Sequence, residues 1–140
     1  APGQQQLAVG VHEAARADGG SEQDDLATSI ETARAILEQA RSIAEVLWIG
    51  PTPLDESVNP MQTEFASWDM RNDEIARYDE AYANLAREIG VDYLRLFPEF
   101  VISPRYQAAL VAGDKVHPGD DGYAMIAERI TSWDKWSAKL

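Results

Sequence analysis

Three short runs rich in apolar residues lie along the chain, at residues 7–11, 46–50 and 91–97; the first two are continuous, and the third also contains Asp92 and Arg95. Runs of this length without polar alternation are typical of strands that are buried on both faces of a parallel sheet. Pro51 and Pro98 follow or close the second and third runs and would end those strands, because proline cannot donate a hydrogen bond to a sheet. The runs therefore predict three buried strands.

Between and after these runs, apolar residues recur at steps of three and four, which is the period of an amphipathic helix. The pattern predicts helices over residues 24–43, 75–89, 105–111 and 120–136. The predicted buried stripe of the first helix is Leu26, Ile30, Ala33, Leu37, Ala40 and Ala44, and that of the last is Tyr123, Ile126, Ala127, Ile130 and Trp133. Residues 54–73 show no period, and we interpret this long excursion either as a lid or pocket wall or as a plain surface excursion.

The alternation of strands and helices predicts βαβ units with right-handed crossovers. The expected fold is therefore α/β, with a parallel sheet covered by helices on both faces. The chain of 140 residues has the length of one domain, and a hydrophobic content of 45% is sufficient for a core. We expect a single domain over residues 1–140.

The chain is strongly acidic, which limits its partners. Lys and Arg number 12 and Asp and Glu 24, a formal net charge of -12. Such a surface would repel phosphate, so nucleic acid and anionic lipid are not expected partners. No stretch approaches the roughly 18 consecutive apolar residues of a membrane-spanning helix, and residues 1–6 lack the features of a signal peptide. The absence of cysteine excludes disulfides and thiolate metal sites, and it slightly favours the cytoplasm without fixing the compartment.

The strongest chemical signal is Asp114-Lys115-Val116-His117-Pro118, which contains one of only two histidines. A carboxylate beside an imidazole is the acid–base half of a hydrolytic triad, because it fixes the ring's tautomer and stabilises the imidazolium. Pro118 biases His117 towards extended backbone, which places the pair on a loop ahead of the last helix. An isolated pair of this kind also fits a plain polar turn, so its position in the fold matters.

Loops that follow parallel strands open onto the carboxyl edge of the sheet, where reactive groups gather in folds of this class. The loop after Val11, the loop at Pro51 and the loop that holds Asp114 and His117 should all meet at this edge. Three independent loops at one edge favour catalysis over a surface turn.

These segments resemble the C-terminal half of SGNH (GDSL-type) hydrolases, which are serine esterases and lipases. The resemblance extends from Leu7 onward, and its most specific part is the Asp114 to Pro118 motif with Gly122-Tyr123 opening the last helix. It implies a three-layer α/β/α flavodoxin-like fold and hydrolysis of carboxylic esters through an acyl-enzyme. A small ester would be the substrate, and the chemistry would need no cofactor and no metal.

The resemblance also implies roles for individual residues. His117 would be the general base that deprotonates a serine, and Asp114 would be the carboxylate that orients it. Where the family has Gly-x-Asn-Asp, this chain has Gly10-Val11-His12-Glu13. Gly10 and His12 would therefore lie on the oxyanion side of the site, with an imidazole N–H where the family has an amide donor.

The family's nucleophile lies in a Gly-Asp-Ser motif near its N-terminus, and this motif is absent from the 140 residues. None of the eight serines follows a strand in the tight turn that a nucleophile requires. They are Ser21, Ser29, Ser42, Ser57, Ser67, Ser103, Ser132 and Ser137. By this comparison the chain is a C-terminal portion that lacks the N-terminal strands of the fold, and a preceding segment or another chain would supply the serine.

In the family's strand order, the missing first strand would lie beside residues 7–11 in the centre of the sheet. Without it, these residues would form an apolar edge, and an apolar edge invites pairing with another chain. We therefore expect a homodimer, or association with a segment that supplies the absent strands.

Two alternatives stay open at the level of sequence. A catalytically inactive or repurposed domain that keeps the fold for binding would need neither the serine nor the oxyanion amide. His12, Glu13, Asp114 and His117 could also converge on a metal such as zinc, although an isolated His-Glu pair lacks the second histidine of a metalloprotease motif. The favoured prediction is the ester hydrolase, with Asp114 and His117 in its site.

Overall fold

The computed structural model describes residues 7–8 and 22–140, which form a helix-rich α/β fold with a small parallel sheet. The predicted α/β class is confirmed. The helices are α1 (Glu22–Arg41), α2 (Asn72–Ile89), α3 (Phe97–Phe100), α4 (Pro104–Ala112), α5 (Asp120–Thr131) and α6 (Asp134–Ser137). The strands are β1 (Leu7–Ala8), β2 (Leu47–Ile49), β3 (Met61–Gln62), β4 (Ser67–Trp68) and β5 (Asp92–Leu94).

The parallel sheet has the order β1-β2-β5. Trp48 at its centre is in register with Leu7 on one side and with Tyr93 on the other. Within the described residues, β1 therefore borders the sheet at one side and β5 at the other. All three strands lie inside the three predicted apolar runs.

The third run was predicted to stay extended as far as residue 97, and this was wrong. The strand ends at Leu94, and Phe97 begins α3, with Pro98 in the first turn of the helix. Proline is favourable there because the first helical N–H groups have no partner within the helix. Pro98 thus opens a helix instead of ending a strand.

Alternate residues of the strands enter two hydrophobic cores. Trp48 and Tyr93 pack with residues of α1 and α2, whereas Ile49 and Leu94 pack with residues of α4 and α5. Successive side chains of a strand point to opposite faces, so the two cores lie on opposite faces of the sheet. The first core buries Ala33, Leu37, Val46, Trp48, Leu54, Met70, Ile75, Tyr78, Tyr82, Leu85, Ala86, Val91 and Phe97. The second buries Leu94, Leu96, Phe100, Tyr106 and Leu110.

The first core is built around Trp48, whose side chain is fully buried. Its ring centroid lies 4.9 Å from those of both Tyr82 and Tyr93. Burial of a large apolar side chain stabilises a fold by about 1.5–3 kcal/mol, and a tilted or edge-on aromatic pair adds about 0.5–1.5 kcal/mol. The predicted stripe of α1 faces this core, with Ala33 and Leu37 buried.

A buried carboxyl group lies against the sheet. Asp79 of α2 is fully buried, and it accepts hydrogen bonds from Tyr93 Oη at 2.9 Å and from Arg95 Nε at 2.7 Å. A Cβ atom at Gly50 would lie 2.5 Å from Tyr93 Oη. Glycine after β2 therefore leaves room for this network.

The last predicted helix, residues 120–136, is two helices, because Trp133 adopts extended backbone between α5 and α6 and packs on the second core. Two residues of its predicted inner face, Tyr123 and Ala127, are exposed. The inner face starts at Gly122 instead, and Met125, Ile126 and Ile130 continue it. The prediction is confirmed for Ile126, Ile130 and Trp133 and wrong for Tyr123 and Ala127, because the glycine that begins the inner face carries no apolar signal.

Residues 54–73 contain a short 3-10 helix, Glu56–Val58, and an antiparallel hairpin of β3 and β4. Two asparagine side chains close this excursion. Asn72 bonds both the N–H and the C=O of Leu54, and Asn59 bonds both the N–H and the C=O of Met70. The interpretation of this segment as a lid or pocket wall stays a prediction.

No helix in the described part of the chain is long and apolar enough to cross a membrane.

Candidate active site

The loop between α4 and α5 carries Asp114 and His117. It turns tightly because the C=O of His117 comes back over Gly113, where a Cβ atom would lie only 2.1 Å from that oxygen. Lys115 adopts a left-handed conformation at φ 73°, and its N–H donates to the C=O of Leu110 at 2.9 Å. A left-handed conformation costs a non-glycine residue about 1–2 kcal/mol, so this hydrogen bond helps to hold the loop.

The carboxylate of Asp114 fixes the loop from inside. Oδ1 accepts the main-chain N–H groups of Val116 at 2.9 Å and His117 at 2.6 Å, and Oδ2 lies 2.9 Å from His117 Nδ1. Hydrogen bonds from the main chain and ring of His117, followed by that from Val116, lower the pKa of Asp114 to about 2. The carboxylate is therefore ionised throughout the physiological range.

This ionisation fixes the tautomer of His117. An ionised carboxylate can only accept hydrogen bonds, so the proton of the neutral ring lies on Nδ1 and the lone pair lies on Nε2. The His117 side chain is 62% exposed. The arrangement can therefore take up a proton at Nε2 while Asp114 stabilises the imidazolium that forms. The predicted contact between the two residues is present.

The loop after β2 meets the Asp114 loop directly. The N–H of Asp55 donates to the C=O of Lys115 at 2.8 Å. Asp55 also caps the 3-10 helix by accepting the Ser57 N–H at 2.9 Å, and the hydrogen bonds from Ser57 lower its pKa. Two of the three loops that were predicted to converge therefore do so. The third loop, with Gly10 and His12, lies outside the described residues.

Behind His117, Pro118 is buried against α5. A Cβ atom at Gly122 would lie 2.3 Å from Pro118 Cβ and 3.1 Å from Ala109 Cβ, so a larger residue would push the loop away from α4. The N–H of Gly119 donates to the C=O of Ala109 at 2.9 Å. The proline and the glycine of the sequence motif thus form one close-packed joint between α4, the loop and α5.

Four of the described serines have side chains that bond within or at the end of a helix. The hydroxyls of Ser42, Ser132 and Ser137 donate to main-chain carbonyls of their own helical turns. Ser103 caps α4 by accepting the N–H of Tyr106. Among the residues with a described structure, Asp114 is the side chain that bonds the His117 ring.

No group of three or more His, Cys, Asp or Glu side chains in the described ranges is arranged to hold a metal ion. His12 and Glu13 lie outside those ranges, so the metal site considered from the sequence is not tested.

Two residues that shape the loop of Asp114 and His117, Gly113 and Asp55, were not predicted from the sequence. Gly113 directly precedes Asp114, and a glycine at this position is a local signal for a tight turn. The contact of Asp55 with Lys115 spans sixty positions of the chain and has no local signal. It depends on the sheet being formed.

A sequence model of the GDSL-like lipase/acylhydrolase family matches residues 7–125, which include the Asp114 loop, Gly122 and Tyr123. No curated protein matches the chain.

Proposed function

Because the chain belongs to the GDSL-like lipase/acylhydrolase family, we propose that it is the base-bearing part of a serine hydrolase of carboxylic esters. The observation that carries the proposal is the hydrogen bond between Asp114 Oδ2 and His117 Nδ1 at 2.9 Å, with the ring largely exposed. A hydrolase is the activity that the family suggests, and the ester substrate and the residue roles are our proposal.

In the proposed reaction, His117 Nε2 takes the proton of a serine hydroxyl while that oxygen bonds to the carbonyl carbon of the ester. The imidazolium then gives the proton to the leaving alcohol as the carbon–oxygen bond breaks, which leaves an acyl-serine. Water then attacks the acyl carbon while His117 takes its proton, the bond to the serine oxygen breaks and releases the acid, and the imidazolium returns the proton to the serine. Asp114 stays ionised throughout, because its pKa of about 2 is far below neutral pH.

We propose that the nucleophile is none of the eight serines of these 140 residues. Two observations support this. The hydroxyls of Ser42, Ser132 and Ser137 are bonded within their own helices. The Asp114–His117 pair is open to solvent, with side chains 63% and 62% exposed. A segment that brings a serine to Nε2 would cover this open face. Gly10 and His12 are proposed on the oxyanion side, where a lost donor typically costs about a hundred- to a thousandfold in rate.

The finer fold assignment is also a proposal: a three-layer α/β/α flavodoxin-like domain without its N-terminal strands. Its support is the pair of hydrophobic cores on opposite faces of the sheet and the strand order β1-β2-β5. Within the described residues β1 pairs on one side, with β2. We propose that a second copy of the chain or a strand-supplying segment pairs with its other side.

The experiment measures hydrolysis of p-nitrophenyl acetate by the protein from the complete reading frame and by residues 1–140 alone. For the complete protein, His117→Ala should lower kcat/KM by about 10²–10⁴-fold, the usual contribution of a positioned acid–base group. Arg34→Gln is the matched control, because it removes an exposed ion pair between α1 and α2, on the other face of the sheet. Residues 1–140 alone should turn over at least a hundredfold more slowly.

Equal turnover by the complete wild-type protein and its His117→Ala variant would contradict the base assignment. No hydrolysis by any form would favour the repurposed binding domain instead.

A further inference from the structure

We infer that Arg105 of α4 is a positioning residue for His117. It restricts the orientation of α5, and the loop that carries His117 ends at the first turn of that helix. The inference rests on the proposed role of His117 as base. The loop of residues 113–119 joins the end of α4 to the start of α5. The place of the imidazole is therefore set by how these two helices are held together.

The joint of Pro118, Ala109 and Gly122 brings α4 and α5 close at one point. Apolar packing also joins the two helices, because Tyr106 and Leu110 of α4 lie in the second core, against which Met125, Ile126 and Ile130 of α5 pack. Apolar packing is not directional, so a polar contact of fixed geometry between the helices restricts their crossing angle further.

Arg105 supplies this polar contact. Its Nε donates to Asp121 Oδ2 at 2.9 Å, its Nη2 donates to the other oxygen of Asp121, and its Nη1 donates to Glu128 Oε2 at 3.3 Å. The two parallel bonds to Asp121 form the bidentate arrangement in which the planar guanidinium restricts orientation most strongly. These bonds lower the pKa of Asp121 and raise that of Arg105.

Arg105 contacts two separate turns of α5 through Asp121 and Glu128, and we call this set of hydrogen bonds the brace. Arg105 lies one helical turn before Ala109 on α4, and Asp121 and Glu128 lie two turns apart on α5, about 10 Å along its axis. One guanidinium therefore bonds to two turns of α5, next to the close contact at Gly122. Asp121 also lies in the first turn of α5, where a carboxylate is favoured by the helix dipole.

All three side chains are about half exposed, at 48% for Arg105, 56% for Asp121 and 65% for Glu128. Exposed ion pairs contribute little to global stability. Loss of the brace should therefore leave the fold intact while it loosens the loop, and this separates positioning from folding.

The readout is the tautomer of His117, measured from long-range nitrogen–proton NMR spectra of the imidazole at a pH well above the ordinary pKa of histidine. In the wild type the Nδ1–H form should dominate, because Asp114 accepts that proton. Asp114→Ala gives the reference without the acceptor. Arg105→Gln and Asp121→Asn should each shift the tautomer populations at least halfway to that reference, with unfolding midpoints close to the wild type.

Arg105→Lys keeps the charge but loses the fork, and it should give an intermediate population. The double variant Arg105→Gln/Asp121→Asn should shift no further than either single variant, because both remove the same contact. Arg34→Gln, which removes an ion pair between α1 and α2, should leave the tautomer unchanged.

Wild-type tautomer populations in both Arg105→Gln and Asp121→Asn, with Asp114→Ala shifted, would overturn the inference. The tautomer does not depend on turnover, so failure of the proposed function is seen separately. If the variants shift the tautomer and the complete protein hydrolyses no ester, Arg105 still positions His117 and the proposed function is wrong.

Discussion

Asp114 holds His117 by both its main chain and its ring: Oδ1 accepts the His117 N–H at 2.6 Å, and Oδ2 lies 2.9 Å from Nδ1. One carboxylate therefore sets both the path of the loop and the tautomer of the imidazole. This double contact makes the pair more than a polar turn, because the ring cannot rotate freely while the loop keeps its shape.

The pH dependence of the loop follows from this contact. The pKa of Asp114 in the folded protein is about 2, below its ordinary value of 3.8. A depressed carboxyl pKa means that the contribution to stability is fully present above the ordinary value and is lost as the pH falls through about 2. The NMR chemical shift of the His117 main-chain N–H should be unchanged at pH 4 and should change as the pH falls through about 2. A change centred near pH 4 would contradict the geometry.

Substitutions at Gly122 and Gly119 should have different effects on the free energy of unfolding, because the space around the two glycines differs. Gly122→Ala puts a Cβ atom 2.3 Å from Pro118 Cβ, and overpacking of this kind typically costs about 1–3 kcal/mol. The gain of about 0.5–1 kcal/mol from replacing a helical glycine is smaller, so denaturant unfolding should show a net loss. Gly119→Ser is the matched control, because its nearest neighbour would lie at 3.6 Å and serine is a favourable residue before the first turn.

In that control the free energy of unfolding should stay within about 0.5 kcal/mol of the wild type, or rise. If both variants lose the same stability, the close contact of Gly122 with Pro118 is not the reason.

The buried carboxylate of Asp79 should matter far more than its exposed neighbour. Asp79→Ala leaves Tyr93 Oη and Arg95 without their buried acceptor, and we expect a loss of about 2–4 kcal/mol in the free energy of unfolding. Glu80→Ala removes an exposed ion pair to the same arginine, at 3.0 Å, and should cost about 1 kcal/mol or less. Equal losses in chemical denaturation would show that burial is not the deciding factor.

The sequence predicted those features that depend on nearby residues. The Asp114–His117 contact spans three positions, and the apolar runs predicted the three parallel strands because each run is local. The hairpin of β3 and β4 was missed because its strands are two residues long and show no alternation.

Features that depend on packing were not predictable in the same way. The brace from Arg105 to Asp121 joins positions sixteen apart, and its formation requires α4 and α5 to be docked. The exposed Tyr123 was expected in the core because the buried stripe of α5 begins at Gly122, which a hydrophobic pattern does not register. Tertiary contacts at a glycine decide which face of this helix turns inward.

The role of His117 as base is tested most directly by the reaction of the complete protein with a fluorophosphonate, which bonds covalently to a serine that a base has activated. We expect a label on a serine other than the eight in residues 1–140, and His117→Ala should slow labelling by at least a hundredfold. Labelling at the same rate in wild type and His117→Ala would contradict the claim that His117 is the base.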